Sequence, residues 1–92
     1  NNTETFTMPE LSRFFGIIIT MYWRDHNPPH FHASYGSDEA LITMNGEVYS
    51  GSLPRRALSL VHEWLAIHRQ ELLNNWENAQ KREPMQPIEP LE

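Results

Sequence analysis

Three of the five histidines in the chain lie in one short stretch, residues 25–32 (DHNPPHFH). If the chain is extended after the two prolines, His30 and His32 point to the same side and could chelate one ion. His26, on a loop stiffened by the prolines, would add a third imidazole. Three nitrogens and a water molecule form an open catalytic zinc site, so the spacing predicts a divalent metal such as zinc at His26, His30 and His32.

The same residues have two interpretations that need no metal. In a ribonuclease, His30 and His32 would share acid and base catalysis, Arg24 would hold the phosphate, and Tyr22 would stack on a base. Alternatively, the stretch is a polar turn whose histidines bond to backbone carbonyls or lie in solvent. The sequence leaves these alternatives open, and His30, His32 and Arg24 are the catalytic candidates if the chain is an enzyme.

A second histidine pair is excluded as a metal motif. His62 and Glu63 resemble the start of a zinc-protease helix motif, but that motif needs histidines four residues apart. His68 follows His62 by six residues and therefore lies on a different helix face. We predict that His68 belongs to the apolar stripe of a helix and bonds to an internal group.

Composition limits the class of protein. The 92 residues suffice for one domain, and the absence of cysteine excludes disulfides and thiolate ligands. A net charge of −5 argues against a free-standing nucleic-acid binder, so nucleic acid would be contacted only locally or through a partner. The chain has no apolar run of about 20 residues and no signal sequence. We therefore expect a cytoplasmic protein without membrane contact.

Alternation and turn residues predict four strands, at residues 15–23, 30–35, 39–44 and 47–53. Asn45 and Gly46 form a hairpin signal in which both residues need positive φ. Pairing Arg24 with His30 and Tyr22 with His32 would place these four side chains on one sheet face, away from the core.

One long helix follows, from Pro54 to about Ala79, with Ser52 as the expected cap. Its apolar stripe contains Ala57, Leu58, Val61, Trp64, Leu65, His68, Leu72 and Trp76. A helix of this length would be about 35–40 Å long and would exceed the width of the sheet. Trp64 and Trp76 would be core and edge anchors, or Trp76 would lie at an overhanging end where a partner could bind it. Arg55 and Arg56 at the helix start are solvated or ion-paired, or bind a phosphate or a partner.

The last segment is rich in proline. Pro84, Pro87 and Pro90 recur every third residue, which matches the period of polyproline II. We predict an extended tail over residues 83–92 that packs on its own domain or docks into a groove of a partner. The predicted organisation is an extension at 1–7, a single domain at 8–82 and this tail. The predicted fold is α+β, a four-stranded antiparallel meander packed against one long C-terminal helix.

From residue 8 onward the chain resembles domain-of-unknown-function family 4160, a set of small bacterial proteins. The resemblance rests on motifs at 8–9 (MP), 12–19 (SRFFGIII), 21–22 (MY), 25–32 (DHNPPHFH), 53–58 (LPRRAL), 63–64 (EW), 68–69 (HR), 71–72 (EL), 75–76 (NW) and 87–91 (PIEPL). Residues 1–7 fall outside this pattern.

The resemblance implies a role but no catalytic residues. Members of the family are uncharacterised biochemically and look as if they are encoded beside another small family, 2442, in an arrangement similar to toxin–antitoxin pairs. This implies a small protein partner encoded nearby and a role as an interaction component of such a module. The interaction candidates are Trp76, Arg55, Arg56, Pro84, Pro87 and Pro90. A homodimer is compatible with the charge pattern, and a ribonuclease or metal-dependent hydrolase is the alternative function.

Overall fold

The computed structural model describes residues 9–92, so the predicted extension at 1–7 lies outside the described residues. Five antiparallel strands form a meander in the order β1-β2-β3-β4-β5. One long helix follows. The elements are β1 Glu10–Phe14, β2 Ile17–Thr20, β3 His30–Tyr35, β4 Asp38–Thr43, β5 Val48–Gly51 and α1 Arg55–Gln80. The predicted α+β architecture is confirmed, with one strand more than the four expected.

The additional strand comes from a turn that the sequence pattern hides. Phe14 and Ile17 face each other across β1 and β2, and Phe15 and Gly16 between them have φ angles of 49° and 83°. This is the two-residue hairpin geometry with positive φ at both positions, which a phenylalanine rarely adopts. The predicted first strand at 15–23 therefore begins with a turn, and Phe15 is 59% exposed, outside the core.

The pairing predicted between residues 15–23 and 30–35 is displaced by two residues in the structure, where these segments contain β2 and β3. Thr20, and not Tyr22, lies opposite His32, and β2 ends there, so the expected Arg24–His30 pair does not form. A displacement by two leaves every side chain on its predicted sheet face, whereas a displacement by one would have reversed the faces.

The core lies between α1 and one face of the sheet. Trp64 is fully buried near its centre, with ring centroids 5.4 Å from Phe14 and 6.0 Å from Phe31. The other residues with 0% or 1% exposure in this core are Ile17, Ile19, Met21, Ala33, Ala40, Ile42, Val61, Leu65 and Leu72. Fully burying one such large side chain contributes about 1.5–3 kcal/mol, so the two layers depend on this shared face.

The helix has 26 residues and begins after Pro54, where no side chain bonds to the free amides, so the predicted Ser52 cap is wrong. His68 lies in the apolar stripe beside Trp64, as predicted, with non-helical φ and ψ. Its Nδ1 pairs with the exposed carboxylate of Glu71 and not with an internal group. Within residues 9–92, no helix combines the length and apolarity needed to cross a bilayer.

The turn between β4 and β5 differs from the predicted Asn45–Gly46 hairpin. Gly46 has a φ of 91°, whereas Asn45 is not in the positive region. The amide of Gly46 donates to Thr43 O at 2.9 Å, and the amides of Asn45 and Glu47 donate to Thr43 Oγ1 at 3.3 and 3.2 Å. The turn therefore centres on Met44 and Asn45, because the Thr43 side chain satisfies the amides that a tighter turn would leave free.

The proline-rich tail packs on its own domain. Ile88 is 4% exposed, and its amide donates to Leu11 O of β1 at 2.8 Å. Trp64 Nε1 donates to Glu89 O at 2.9 Å. Met85, Ile88 and Leu91 face the core at every third residue, and Pro84, Pro87 and Pro90 are exposed. The predicted three-residue period is therefore present, with an apolar edge that completes the core.

The buried side chain of Asn75 fixes the start of this tail to the helix. Its Nδ2 donates to Gln86 O and its Oδ1 accepts from the Gln86 amide, both at 2.8 Å. Because Asn75 is 2% exposed, the two bonds satisfy an amide that would otherwise be costly to bury.

We expect Ile88→Ala to lower the free energy of unfolding by about 2–4 kcal/mol, because it leaves a cavity between the tail and the core. Pro87→Ala, at an exposed neighbouring position, should cost less than about 1 kcal/mol. Urea unfolding followed by tryptophan fluorescence measures both. Equal losses for the two variants would show that the tail is not docked in solution.

Candidate metal site at the β2–β3 loop

The loop between β2 and β3 is attached to the C-terminal end of the helix. The amide of Arg24 donates to Ala79 O at 3.2 Å, and Gln80 Nε2 donates to Asp25 O at 3.2 Å. Arg24 has a φ of 55°, and the Asn27–Pro28 peptide is cis. The two hydrogen bonds hold Asp25 beside the first residues of β3.

His30 and His32 are buried in the central strand. Alternation along β3 places them on the face opposite Phe31, with ring centroids 5.4 Å apart. They are only 0% and 5% exposed, because the loop and neighbouring aromatic rings cover them. The shared face agrees with the sequence analysis, which left open whether this face is exposed or covered.

The two Nδ1 atoms each face an acceptor. His30 Nδ1 lies 2.7 Å from Pro28 O, and His32 Nδ1 lies 3.1 Å from Glu39 Oε2. A carbonyl or carboxylate oxygen can only accept, so Nδ1 carries the proton in both rings. In the neutral imidazole, Nε2 then presents a lone pair.

Both Nε2 atoms lie close to one carboxylate. Asp25 Oδ2 lies 2.9 Å from His30 Nε2 and 3.5 Å from His32 Nε2. Neither Nε2 makes a hydrogen bond to any of residues 9–92. One ligand atom from each of the three residues can be chosen so that all lie within 4.8 Å of one another. Three acceptor groups thus converge on a small buried volume.

The environment keeps Asp25 ionised. Burial raises the pKa of its carboxyl, but the amide of His26 and the nearby His30 imidazole outweigh burial and bring the pKa below its ordinary value. Oδ1 accepts the His26 amide at 2.8 Å, which also fixes the orientation of the carboxylate. An ionised carboxylate beside two imidazoles is stabilised by a positive charge, supplied by a bound cation or by a proton on an imidazole.

Aromatic rings form the walls of the cluster. Tyr22 meets His32 edge-on at 4.5 Å, and Tyr49 and Trp76 each lie 5.3 Å from His30. Burial raises the pKa of the Tyr49 phenol, and the negative charge of Asp25 raises it further. Tyr22 and Tyr49 are 42% and 40% exposed, so the cluster lies just beneath the surface.

The structure brings two of the predicted ligands together and places the third at the rim. His26 has a side chain 69% exposed, and its Nε2 lies 3.6 Å from Asp25 Oδ1. Its ring stacks on His30 at 5.3 Å. Arg24, the third catalytic candidate, is exposed on the same loop.

The predicted interaction residues are distributed differently from expectation. Trp76 is 6% exposed and packs on His30, which fits its interpretation as an anchor of the core better than a partner-binding role. Arg55 and Arg56 are exposed at the helix start. Pro84, Pro87 and Pro90 are exposed on the docked tail.

Sequence analysis missed the roles of Asp25, Tyr49 and Trp76 at this cluster. By type and position in the sequence, Asp25 is suited to a turn. Its position directly before a segment with two alternating histidines was the signal available, because a carboxylate and two imidazoles are a common ligand set. No sequence signal could have placed Tyr49 or Trp76 there.

We expect the metal-free protein to lose stability in acid through Asp25. Its folded pKa is depressed, so its stabilising contribution is complete above the unfolded value of about 3.9 and is lost as pH falls through the folded pKa. Urea unfolding with chelator over a series of acidic pH values measures this loss. Asp25→Asn should remove it, whereas Asp38→Asn, an exposed carboxylate at the other end of the β3–β4 pair, should retain it. An unchanged pH dependence in Asp25→Asn would contradict the assignment.

Comparison with known proteins identifies one family. The model of the family described as Domain of unknown function (DUF4160) matches residues 16–77, which contain the whole Asp25–His32 stretch and most of the helix. No curated protein and no solved structure gives a significant match to the chain.

Proposed function

The chain belongs to the DUF4160 family, and from that premise we propose that Asp25, His30 and His32 bind one divalent metal ion. The observation that carries the proposal is that two buried Nε2 atoms lie within 3.5 Å of one carboxylate oxygen and have no hydrogen-bond partner among residues 9–92. Buried polar atoms are nearly always satisfied, so this arrangement needs either a cation or an additional proton.

The distances fit a metal ion. Two ligand atoms about 2.0–2.1 Å from a tetrahedral zinc ion lie about 3.3 Å from each other. The observed separations of 2.9 and 3.5 Å between Asp25 Oδ2 and the two Nε2 atoms bracket this value.

The second contacts of the imidazoles fit as well. Histidines that bind metal through one nitrogen usually donate the other N–H to a carbonyl or a carboxylate. His30 does so to Pro28 O, and His32 does so to Glu39. These bonds fix the tautomer that leaves Nε2 free for the ion, and they make Glu39 an outer partner of the site.

The ligand set supports a metal-dependent hydrolase. Two imidazoles and one carboxylate suit zinc or ferrous iron and leave a coordination position for water or substrate. When bound, the ion would act as a Lewis acid and lower the pKa of a coordinated water molecule. His30 and His32 act here as ligands, not as a metal-free acid and base pair. Arg24, exposed on the same loop, would contact the phosphate of an RNA substrate.

We expect purified protein to bind one zinc, cobalt or nickel ion per chain, measured by mass spectrometry of the metal and by calorimetry. His30→Ala, His32→Ala and Asp25→Asn should abolish stoichiometric binding, and Glu39→Gln should weaken it about 10–100-fold, as expected for an outer partner. His26→Ala is the matched control at the rim and should retain one ion. Folded protein that binds no metal, or loses it only in His26→Ala, would exclude the site. Metal-dependent RNA cleavage lost in the same three variants would identify the hydrolase.

A second function is favoured by a different surface: an interaction component of a toxin–antitoxin-like pair. Phe15 and Tyr35 expose large aromatic surfaces at the end of the sheet remote from the histidines, and such rings are enriched at protein interfaces. The partner would be the small protein encoded nearby. Nucleic acid would be contacted through that partner, and the pair would be cytoplasmic.

We expect the chain and the product of the neighbouring gene to form one complex when they are co-expressed. Size-exclusion chromatography with light scattering measures its mass, and the chain alone shows whether it is a monomer or a homodimer. Separate elution of the two proteins at micromolar concentration would contradict the interaction role, while the metal proposal would be unaffected.

A further inference from the structure

A concave surface lies at the end of β3 opposite the metal cluster. It is a groove of about 290 Å³ between the Phe15–Gly16 turn and the first turns of α1. Its lining residues are Phe15, Tyr35, Pro54, Arg56, Ala57 and Leu60. Phe15 and Tyr35 are 59% and 41% exposed, so two aromatic rings border the groove without being covered.

The turn that presents Phe15 has a defined backbone. Both turn residues have positive φ, and a Cβ on Gly16 would lie 3.1 Å from Tyr35 Cε1. Glycine therefore lets the turn pack closely on the Tyr35 ring, and this contact fixes where Phe15 projects. A positioned aromatic residue loses little conformational entropy when it binds a partner.

The charge beside the groove is opposite to that of the chain. Arg55 and Arg56 are exposed, the first turn of α1 has no acidic residue, and no carboxylate of residues 9–92 lies within 4 Å of either guanidinium. In a protein of net charge −5, this is a local positive surface. An acidic partner would be attracted here and repelled elsewhere, which gives both steering and orientation.

We propose that this groove docks a short acidic segment of a partner protein, with an apolar side chain between Phe15 and Tyr35 and carboxylates at Arg55 and Arg56. The proposal rests on the proposed partner-binding function and names its surface and the chemistry of the partner. The apolar lining and the negative net charge favour such a peptide over a polyanion such as RNA. Aromatic and arginine side chains are also the residues that dominate binding energy at interfaces.

The test uses a defined probe, the amidated and N-acetylated hexapeptide Asp-Glu-Leu-Phe-Asp-Glu, added to ¹⁵N-labelled protein. We expect saturable amide shifts confined to the Phe15–Gly16 turn, Tyr35 and the first turn of α1. The double variant Arg55→Ala, Arg56→Ala should weaken binding at least about tenfold. Ile67→Ser removes another exposed apolar residue of α1, outside the groove, and should leave the dissociation constant unchanged.

Two further peptides decide between explanations. Replacing the acidic residues by lysine, or Leu and Phe by serine, should abolish the shifts. Equal binding of the lysine peptide, or shifts spread over the whole surface, would overturn the proposal. Shifts at the same residues on concentrating the protein without peptide would also overturn it, by assigning the groove to a second copy of the chain.

The failure of this surface can be separated from the failure of partner binding. If the neighbouring product co-elutes equally with wild type and with the double arginine variant, the partner-binding function stands and the groove assignment is wrong. If the complex is lost in the double variant and kept in Ile67→Ser, both are supported.

Discussion

The central constraint in this structure is a pair of buried imidazoles. The free nitrogens of both lie beside one carboxylate. The Nδ1–H groups of His30 and His32 donate to Pro28 O and Glu39, which leaves both Nε2 atoms beside Asp25 without a hydrogen bond. An apolar environment makes three convergent acceptors costly unless a positive charge lies among them. The surrounding elements maintain this arrangement: the central strand sets the spacing of the histidines, and the end of α1 holds the loop that carries Asp25.

The remainder of the domain makes that arrangement rigid. The tail completes the core beside β1 and bonds to Trp64 and Asn75, both on α1. Because Trp76 on the same helix packs on His30, the tail, helix and cluster form one continuous packed unit. The two ends of β3 have different characters: His30 begins it at the polar cluster, and Tyr35 ends it at an apolar groove with exposed arginines. One strand thus supports two separate surfaces, one suited to an ion and one suited to a protein segment.

Much of this could be predicted because side-chain periodicity is insensitive to errors in pairing. His30 and His32 share a face because they are two residues apart on one strand. The even displacement between β2 and β3 keeps the predicted face of each β2 residue, although Thr20 replaces Tyr22 opposite His32. The turn at Phe15 could not be predicted, because positive φ is disfavoured for phenylalanine. In the structure, tertiary contacts of this turn with Tyr35 override that preference. Burial of the histidines and the approach of Tyr49 and Trp76 depend on contacts between distant segments, which spacing in the sequence does not encode. The family match establishes membership without assigning an activity, so the chemistry must be argued from the site.

The most direct test is anomalous X-ray diffraction from crystals of the protein prepared with zinc, with data collected on both sides of the zinc absorption edge. If these residues bind the ion, we expect one strong anomalous peak per chain, at about 2.0–2.2 Å from Asp25 Oδ2, His30 Nε2 and His32 Nε2. A cluster without anomalous signal, in which the two Nε2 atoms bond to water or to a rotated Asp25, would contradict it.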